Sequence, residues 1–465
     1  MAESLSPAAL LKRRWGEDWL LGAESQQFWQ VVTARSRQLT QLQPSVPQVL
    51  LIEADPVLFL AGFIAACGHR AVLFLGDPNW QAQEWSQVAQ QVSPDLIWGS
   101  APVSCRSAPL ATTTAVPPVI CIPTGGSSGQ IKFAVHTWKT LLAAVEGFQQ
   151  HFQIVTVNAY CTLPLHHVSG LMQALRTFVS GGKLVLQAFK QLEQGCLMLT
   201  NPENFFISLV PTQLQRLLHP GLANWLSRFQ AVLLGGAPAW PELLAQAKQY
   251  QTPLALTYGM TETAAQITTL LPQEFLAGNH SSGRPLPHAQ VKILAPSGES
   301  LSAGQIGQVT IQVRSLCLGY YASPSVQLSH TPAFQPDDLG WLDAEGYLHI
   351  VGRQSQKIIT GGENVFPEEV EAAIRQTGWV QDVCVVGLAD RHWGQVVTAV
   401  YVPTKTEITG KKIRAAIAPL LSAYKHPKRW VAMAELPRNS QGKISRREIE
   451  KVAIAHQLII LQSEA

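Results

Sequence analysis

Residues 49–75 read VLLIEADPVLFLAGFIAACGHRAVLFL, and this stretch decides the fold. VLLIE (49–53) is a continuous apolar run of strand length, the pattern of a strand buried on both faces. Asp55 then offers a side-chain oxygen to a helix N-terminus, and Pro56 is preset for the first helical position. The apolar residues that follow run to Gly68, a stop signal. AVLFL (71–75) is a second buried strand. Strand, helix and strand in 27 residues make a β-α-β unit, which implies a parallel sheet. The same stretch is a poor membrane span, because it carries Glu53, Asp55 and Pro56 within its most apolar part.

Working outward, the alternation recurs. VPPVICIP (116–123) is a strand ending in a glycine-rich turn, FAVH (133–136) a short strand, and TWKTLLAAVEGFQQHF a helix. AYCTLPL and KLVLQ flank the helical LMQALRTFVSGG, while AVLLGG (231–236) and LALTYG (254–259) flank LLAQAKQY. From about 290 the strands shorten (VKIL, QVTIQV, GYLHIV) and are separated by Gly and Asp, which predicts a small antiparallel sheet or barrel-like part. After Gly352-Arg353 comes a compact unit with a helix (367–376), two strands and two further helices. The expected architecture is α/β. Residues 1–352 would form a large N-terminal domain with mostly parallel sheets, and residues 353–465 a small α+β C-terminal domain.

The composition agrees. The chain has 465 residues, 46% hydrophobic and 14% charged, which fits a folded globular protein with room for an interdomain cleft. A net charge of +3, spread along the chain, gives no sign of a nucleic-acid partner. A basic cluster near the C-terminus (Lys411, Lys412, Arg414, Lys425, Lys428, Arg429, Arg446, Arg447) reads as a solvated face or as an attractor for a polyanionic small molecule. The seven cysteines (67, 105, 121, 161, 196, 317, 384) are odd in number and contain no C-x-x-C pair, so reduced thiols in a cytoplasm are expected. MAESLSPAALLKRRW lacks the charged-then-apolar order of a signal peptide, and no integral membrane association is expected.

Several loops after buried strands carry chemistry. Thr124-Gly125-Gly126-Ser127-Ser128-Gly129-Gln130-Ile131-Lys132 combines glycines that free backbone N–H groups with hydroxyls and a lysine, the makings of a phosphate cradle. It is not a G-x-x-x-x-G-K-[ST] loop. LPLHHVSG (163–170), LGGAP (234–238) and TYGMTET (257–263) also follow strands, where ligands of open α/β sheets bind.

Taken in order, these segments resemble the adenylate-forming superfamily of acyl-CoA synthetases, luciferases and adenylation domains, over residues of about 50 to 450. The 124–132 loop is similar to that family's Thr-Ser-Gly-Ser/Thr-Thr-Gly-x-Pro-Lys, with Gly125 for Ser and Ile131 for Pro. The resemblance makes His167 the family histidine beside the substrate carboxylate, with His166 in the place of an aromatic residue. It gives the Gly235-Gly236-Ala237 backbone to adenine, with Tyr258 stacked on it beside Gly259. Thr261 would bind phosphate, and Glu262 would hold Mg²⁺. Asp338, in Asp337-Asp338-Leu339-Gly340, would take the ribose hydroxyls. Arg353 is the hinge arginine, although Ser355 and Gln356 stand where the family has an acidic residue. Gly361 and Gly362 would admit the pantetheine arm of coenzyme A, and Lys443 in PRNSQGKI (437–444) would be the adenylation lysine.

The implied chemistry is activation of a carboxylic acid by ATP to an acyl-adenylate, then transfer to the CoA thiol. It needs no covalent enzyme nucleophile and relies on positioning and on cations aimed at phosphate charge. Within the superfamily, LPLHHVSGL, VPTQLQRLL, LLGGAP and YGMTETAAQ in a short chain look most like the o-succinylbenzoate-activating branch of menaquinone or phylloquinone biosynthesis. Gln213 and Arg216 are then candidates for the second carboxylate of 2-succinylbenzoate. The alternatives are another aryl- or acyl-CoA ligase, an adenylation module that loads a carrier protein, and an inactive nucleotide-binding homologue. Small molecules are the expected partners, with a homodimer left open.

Overall fold

The computed structural model describes residues 5–22, 25–42, 46–69, 71–102, 118–125, 130–322, 325–328, 333–438 and 444–463. The chain divides into two compact units. One comprises residues 1–236, 247–291 and 311–334, the other 237–246, 292–310 and 335–465. The expected boundary at 353 falls inside the second.

The first unit contains two sheets. In the seven-stranded one, Gln48–Ile52 (β1) pairs in parallel with Val72–Leu75 (β2) and with Leu96–Gly99, and β2 in turn with Ile120–Gly125 (β3). Ile131–His136 (β4) returns antiparallel to β3, and Gly319–Ala322 and Ser325–Leu328 complete the edge. The helix between β1 and β2, Pro56–Gly68 (α1), starts as its sequence dictates. Asp55 Oδ1 accepts from the N–H groups of Val57 (2.8 Å) and Leu58 (3.0 Å). Its residues 59–66 are all buried, as expected of a helix apolar on every face.

The eight-stranded sheet positions most of the candidate site. Its order runs Leu20–Leu21, Leu184–Leu186, Asn158–Cys161 (β5), Phe205–Leu209 (β6), Ala231–Leu234 (β7), Leu254–Met260 (β8), Ala265–Thr269 and Arg284–Pro285. β5, β6, β7 and β8 are consecutive and parallel, so their carboxyl ends lie side by side. The helix after β5, Val168–Ser180 (α2), is held at its far end by Arg14. This buried guanidinium donates to the carbonyls of Thr177 (3.0 Å), Phe178 (3.1 Å) and Gly182 (2.9 Å). A cation there satisfies the carbonyls a helix leaves open at its C-terminus.

The second unit holds the small antiparallel sheet foreseen from 290 onward, where Gly307 and Gln308 pair with Asp338–Leu342 (β9), which pairs in turn with Leu348–Arg353 (β10). Beyond it, Ile358–Thr360 (β11), Glu363–Val365 (β12), Val380–Asp390, Gly394–Pro403 and Arg429–Ala432 form a five-stranded sheet. Helices Pro367–Gln376, Gly410–Ile417 and Arg446–Ser463 accompany it. The basic cluster is partly structural here. Arg446 lies 2.9 Å from Glu371 and donates to Val385 O at 2.6 Å, while Arg429 meets Asp390 at 2.8 Å.

Candidate active site

Four loops leave the adjacent carboxyl ends of β5 to β8, and each carries residues picked out from the sequence. His167 follows β5 as the N-cap of α2. Gln213 lies on Pro211–Leu217 (α3), which follows β6. Gly235 and Gly236 follow β7, and Tyr258 and Gly259 end β8 before the short turn Thr261–Thr263.

Two glycines here are forced by close approach. A Cβ on Gly235 would stand 2.4 Å from Thr257 Oγ1, and one on Gly259 would stand 2.1 Å from Ala265 O. At Gly259 the β8 ladder also slips register, so the chain folds tightly back on itself. Ala264 and Ala265 complete that turn with φ of 54° and 82°, conformations that L residues seldom adopt. The strain sits two and three residues after Glu262.

Two contacts hold this turn from the other sheet of the same unit. His136, at the end of β4, places Nε2 2.8 Å from Thr261 O and Nδ1 3.1 Å from Thr140 Oγ1. Burial pushes this imidazole down to about 4, against the pull of the Thr261 carbonyl, so it is neutral and donates its Nε2–H to Thr261. Tyr320 donates its hydroxyl to Glu262 Oε1 at 2.6 Å. Burial and the neighbouring carboxylate raise the phenol above its ordinary range, so it keeps the proton it donates. Lys132, on β4 opposite Thr124, sets its ammonium 5.3 Å from the centre of the Tyr320 ring. Lys132, Tyr320 and Glu262 therefore form one connected group. Tyr320 escaped sequence reasoning because it belongs to no motif and lies 58 positions from Glu262.

Around His167 a second group is assembled. Asp77, just beyond β2, has Oδ2 3.5 Å from His166 Nε2, and the His166 and His167 rings meet edge to face at 4.3 Å. Asp77 is 1% exposed and His166 6%. Burial alone would raise the Asp77 carboxyl. The hydrogen bond and charge of His166, together with the Asn79 N–H, outweigh it and hold the group well below the usual carboxylate range. Asp77 was not singled out from sequence, and only the fold brings it to the histidines.

Other expected residues stand apart. Gln213 Oε1 accepts from Val210 N at 3.1 Å and so caps its own helix. The Arg216 side chain is 60% exposed and pairs with Glu193 at 3.6 Å. Thr124 and Gly125 end β3, but Gly126, Ser127, Ser128 and Gly129 lie outside the described residues. Cys105 does also.

In the second unit, Ala237 is exposed just after Gly236. Asp338 and Arg353 face each other across β9 and β10, with Nε 3.3 Å from Oδ1. Ser355, which replaces an acidic residue of the motif, donates its N–H to the Asp337 carboxylate at 3.2 Å. Gly361 and Gly362 form the two-residue turn between β11 and β12, with φ of 59° and 85°. Positive φ at both positions is what a type I′ hairpin demands, and glycine supplies it without strain. Lys443 lies outside the described residues, while Arg438 and Ile444 on either side of it bridge antiparallel.

Whether these residues suit a divalent cation can be read from their donors. Glu262 and Thr261 offer a carboxylate and a hydroxyl, the hard oxygen set that Mg²⁺ shares with phosphate.

The family model described as "AMP-binding enzyme" matches residues 33–321, and that of its C-terminal domain matches residues 369–443. A 2-succinylbenzoate–CoA ligase of Enterococcus faecalis is 34% identical over 327 residues, 70% of this chain and 67% of that protein. Another from Oceanobacillus iheyensis is 35% identical over 62% of this chain and 60% of its own length. Among solved structures, the o-succinylbenzoate CoA synthetase of Bacillus subtilis in complex with an acyl-adenylate superimposes with a TM-score of 0.80. It is 22% identical, covering 96% of this chain and 98% of that one. ATP-bound MatB from Rhodopseudomonas palustris gives 0.79 at 21% identity, over 96% and 98%. At these identities the structural likeness is one of fold.

Proposed function

Because the chain belongs to the AMP-binding enzyme family, we propose that it is an acid–CoA ligase that activates 2-succinylbenzoate with ATP and passes the acyl group to coenzyme A. The observation that carries this reading is the row of parallel strand ends β5 to β8. It aligns His167, the Gly235-Gly236 turn, Tyr258 and the Thr261-Glu262 turn along one edge, where ligands of such sheets bind. The named substrate of the two relatives supplies the acid.

The first half-reaction asks the protein to bring a carboxylate and the α-phosphate together in line and to stabilise the charge that grows between them. Adenine rests on Tyr258 against the Gly235–Ala237 backbone. Asp338 accepts from the ribose hydroxyls, and the 124–132 loop with Lys132 holds the departing pyrophosphate. Glu262 would hold Mg²⁺, which would supply positive charge beside the phosphates, and the Tyr320 hydroxyl keeps that carboxylate oriented. His167 borders the acid, with Gln213 and Arg216 as candidates for its second carboxylate. Lys443 supplies a full positive charge to the transition state. For the second half-reaction a domain of residues 353–465 turns about Arg353, withdraws Lys443 and presents Gly361-Gly362 to the pantetheine arm. Residues 1–352 form the other domain. The enzyme works in the cytoplasm with reduced thiols, and the six described cysteines are all unpaired. None of the described helices is long and apolar enough to cross a membrane.

The test is a panel of acids in an AMP-release assay, with and without CoA. 2-Succinylbenzoate should give CoA-dependent thioester at a kcat/KM well above that for benzoate, fatty acids or amino acids. Equal turnover of a simple monocarboxylate would remove the substrate assignment. AMP release indifferent to CoA would favour a carrier-protein-loading module instead.

A further inference from the structure

Among the described residues, one group of three or more metal-ligating side chains has its ligand atoms close together: Asp77, His166 and His167, all within 4.8 Å of one another. Its members come from two sheets of one unit. Asp77 follows β2, and the histidines follow β5. Local hydrogen bonds hold Asp77 and the His167 backbone. Asp77 Oδ1 is tied by the Asn79 N–H (2.9 Å) and amide (3.1 Å), and His167 N–H donates to Pro164 O at 3.2 Å.

Stability does not explain the arrangement. A buried carboxylate paired with an imidazole holds two loops no better than an apolar pair of similar volume, and often worse. The matching motif carries an aromatic residue where this chain has His166, so an uncharged solution is available. Two imidazoles and a carboxylate are, however, a donor set for zinc-like ions. Magnesium prefers an all-oxygen shell. Tetrahedral ligands at bond lengths of about 2.0–2.1 Å stand roughly 3.3 Å apart. His166 Nε2 and Asp77 Oδ2 are at 3.5 Å already. His167 is partly exposed and already brings a ligand atom within 4.8 Å of the other two, so a small shift closes the shell.

We propose that Asp77, His166 and His167 form a site for a zinc-class divalent cation, distinct from the magnesium held by Glu262, which locks His167 when filled. That occupancy inhibits acyl-adenylate formation rests on the role given to His167 above; the binding itself does not.

Binding is therefore measured apart from activity. The whole chain would be titrated with Zn²⁺ by calorimetry, and with Co²⁺ by its visible absorption, for wild type, Asp77→Asn and His166→Phe. Asp77→Asn keeps the side-chain acceptor of the turn, and His166→Phe restores the aromatic residue of the motif. Circular dichroism would check both. One ion per chain is expected for wild type, with affinity falling at least about 100-fold in both variants, as loss of one of three ligands should cause. Pyrophosphate exchange in excess Mg²⁺ should be inhibited by Zn²⁺ in wild type and resist it in His166→Phe. No binding to wild type, or binding by the two folded variants as tight as wild type's, would overturn the site. Binding that is lost in the variants yet leaves wild-type adenylation untouched would uphold the site and refute the role given to His167.

Discussion

Tyr320→Phe isolates one hydrogen bond and leaves nearly everything else in place. The phenyl ring can still lie beside the Lys132 ammonium, now 5.3 Å from its centre, and no cavity larger than a hydroxyl opens. What disappears is the 2.6 Å donation to Glu262 Oε1. Glu262 is only 9% exposed, so water is poorly placed to substitute. A hydrogen bond to a charged group contributes about 1.5–3 kcal/mol, and each ~1.4 kcal/mol is a factor of ten, so the effect is roughly 10- to 150-fold. Outer partners of metal-binding carboxylates show losses of about 10- to 100-fold, the same range. The assay is ATP–pyrophosphate exchange at fixed ATP over a range of Mg²⁺. Half-saturation should move to at least about tenfold higher Mg²⁺ while thermal unfolding stays within a few degrees of wild type. If the Mg²⁺ dependence is unchanged within about twofold, Glu262 either does not hold the ion or does not need Tyr320. A loss matched by unfolding would equally refute the reasoning.

Three further outcomes are expected. Lys443→Ala should slow adenylate formation by about 10²–10³-fold or more, yet still transfer presynthesised acyl-adenylate to CoA at nearly the wild-type rate; Lys132→Ala should lack that separation, and equal failure of Lys443→Ala in both steps would refute the assignment. Gly362→Trp should preserve pyrophosphate exchange and abolish thioester formation, because a Cβ there meets nothing within 4 Å and the hairpin bears only the strain of φ 85°, about 1–2 kcal/mol; parallel loss of both steps in folded protein would count against separate faces. Burial pushes the His136 and His288 imidazoles each down to about 4 from an ordinary 6.5. The unfolded chain therefore binds more protons between those values, and stability should fall as pH drops from about 6.5 to about 4, by up to roughly 3 kcal/mol per ring. His288→Phe should be at least as stable at pH 7 and lose less on acidification, read from unfolding midpoints at pH 7 and 5.

Sequence alone determined the elements whose causes are local. The capped apolar helix from Pro56 to Gly68 follows from Asp55, Pro56 and an unbroken apolar run. The order of strands and glycine turns then places LPLHH, LGGAP and TYGMTET after parallel strands. Each is legible because capping, periodicity and left-handed turns act within a few residues. Only the tertiary structure decided what depends on sheets meeting. Tyr320 reaches Glu262 across 58 positions, His136 takes the carbonyl of Thr261, and Arg14 closes the far end of the helix that starts at His167. Asp77 and His166 come within 3.5 Å from opposite sheets. No spacing announces these contacts, because a pairing between distant residues is set by strand order and register, and its energy is gained only once both sheets have formed. Sequence thus named the parts proposed to meet substrate, while folding chose the partners that orient them.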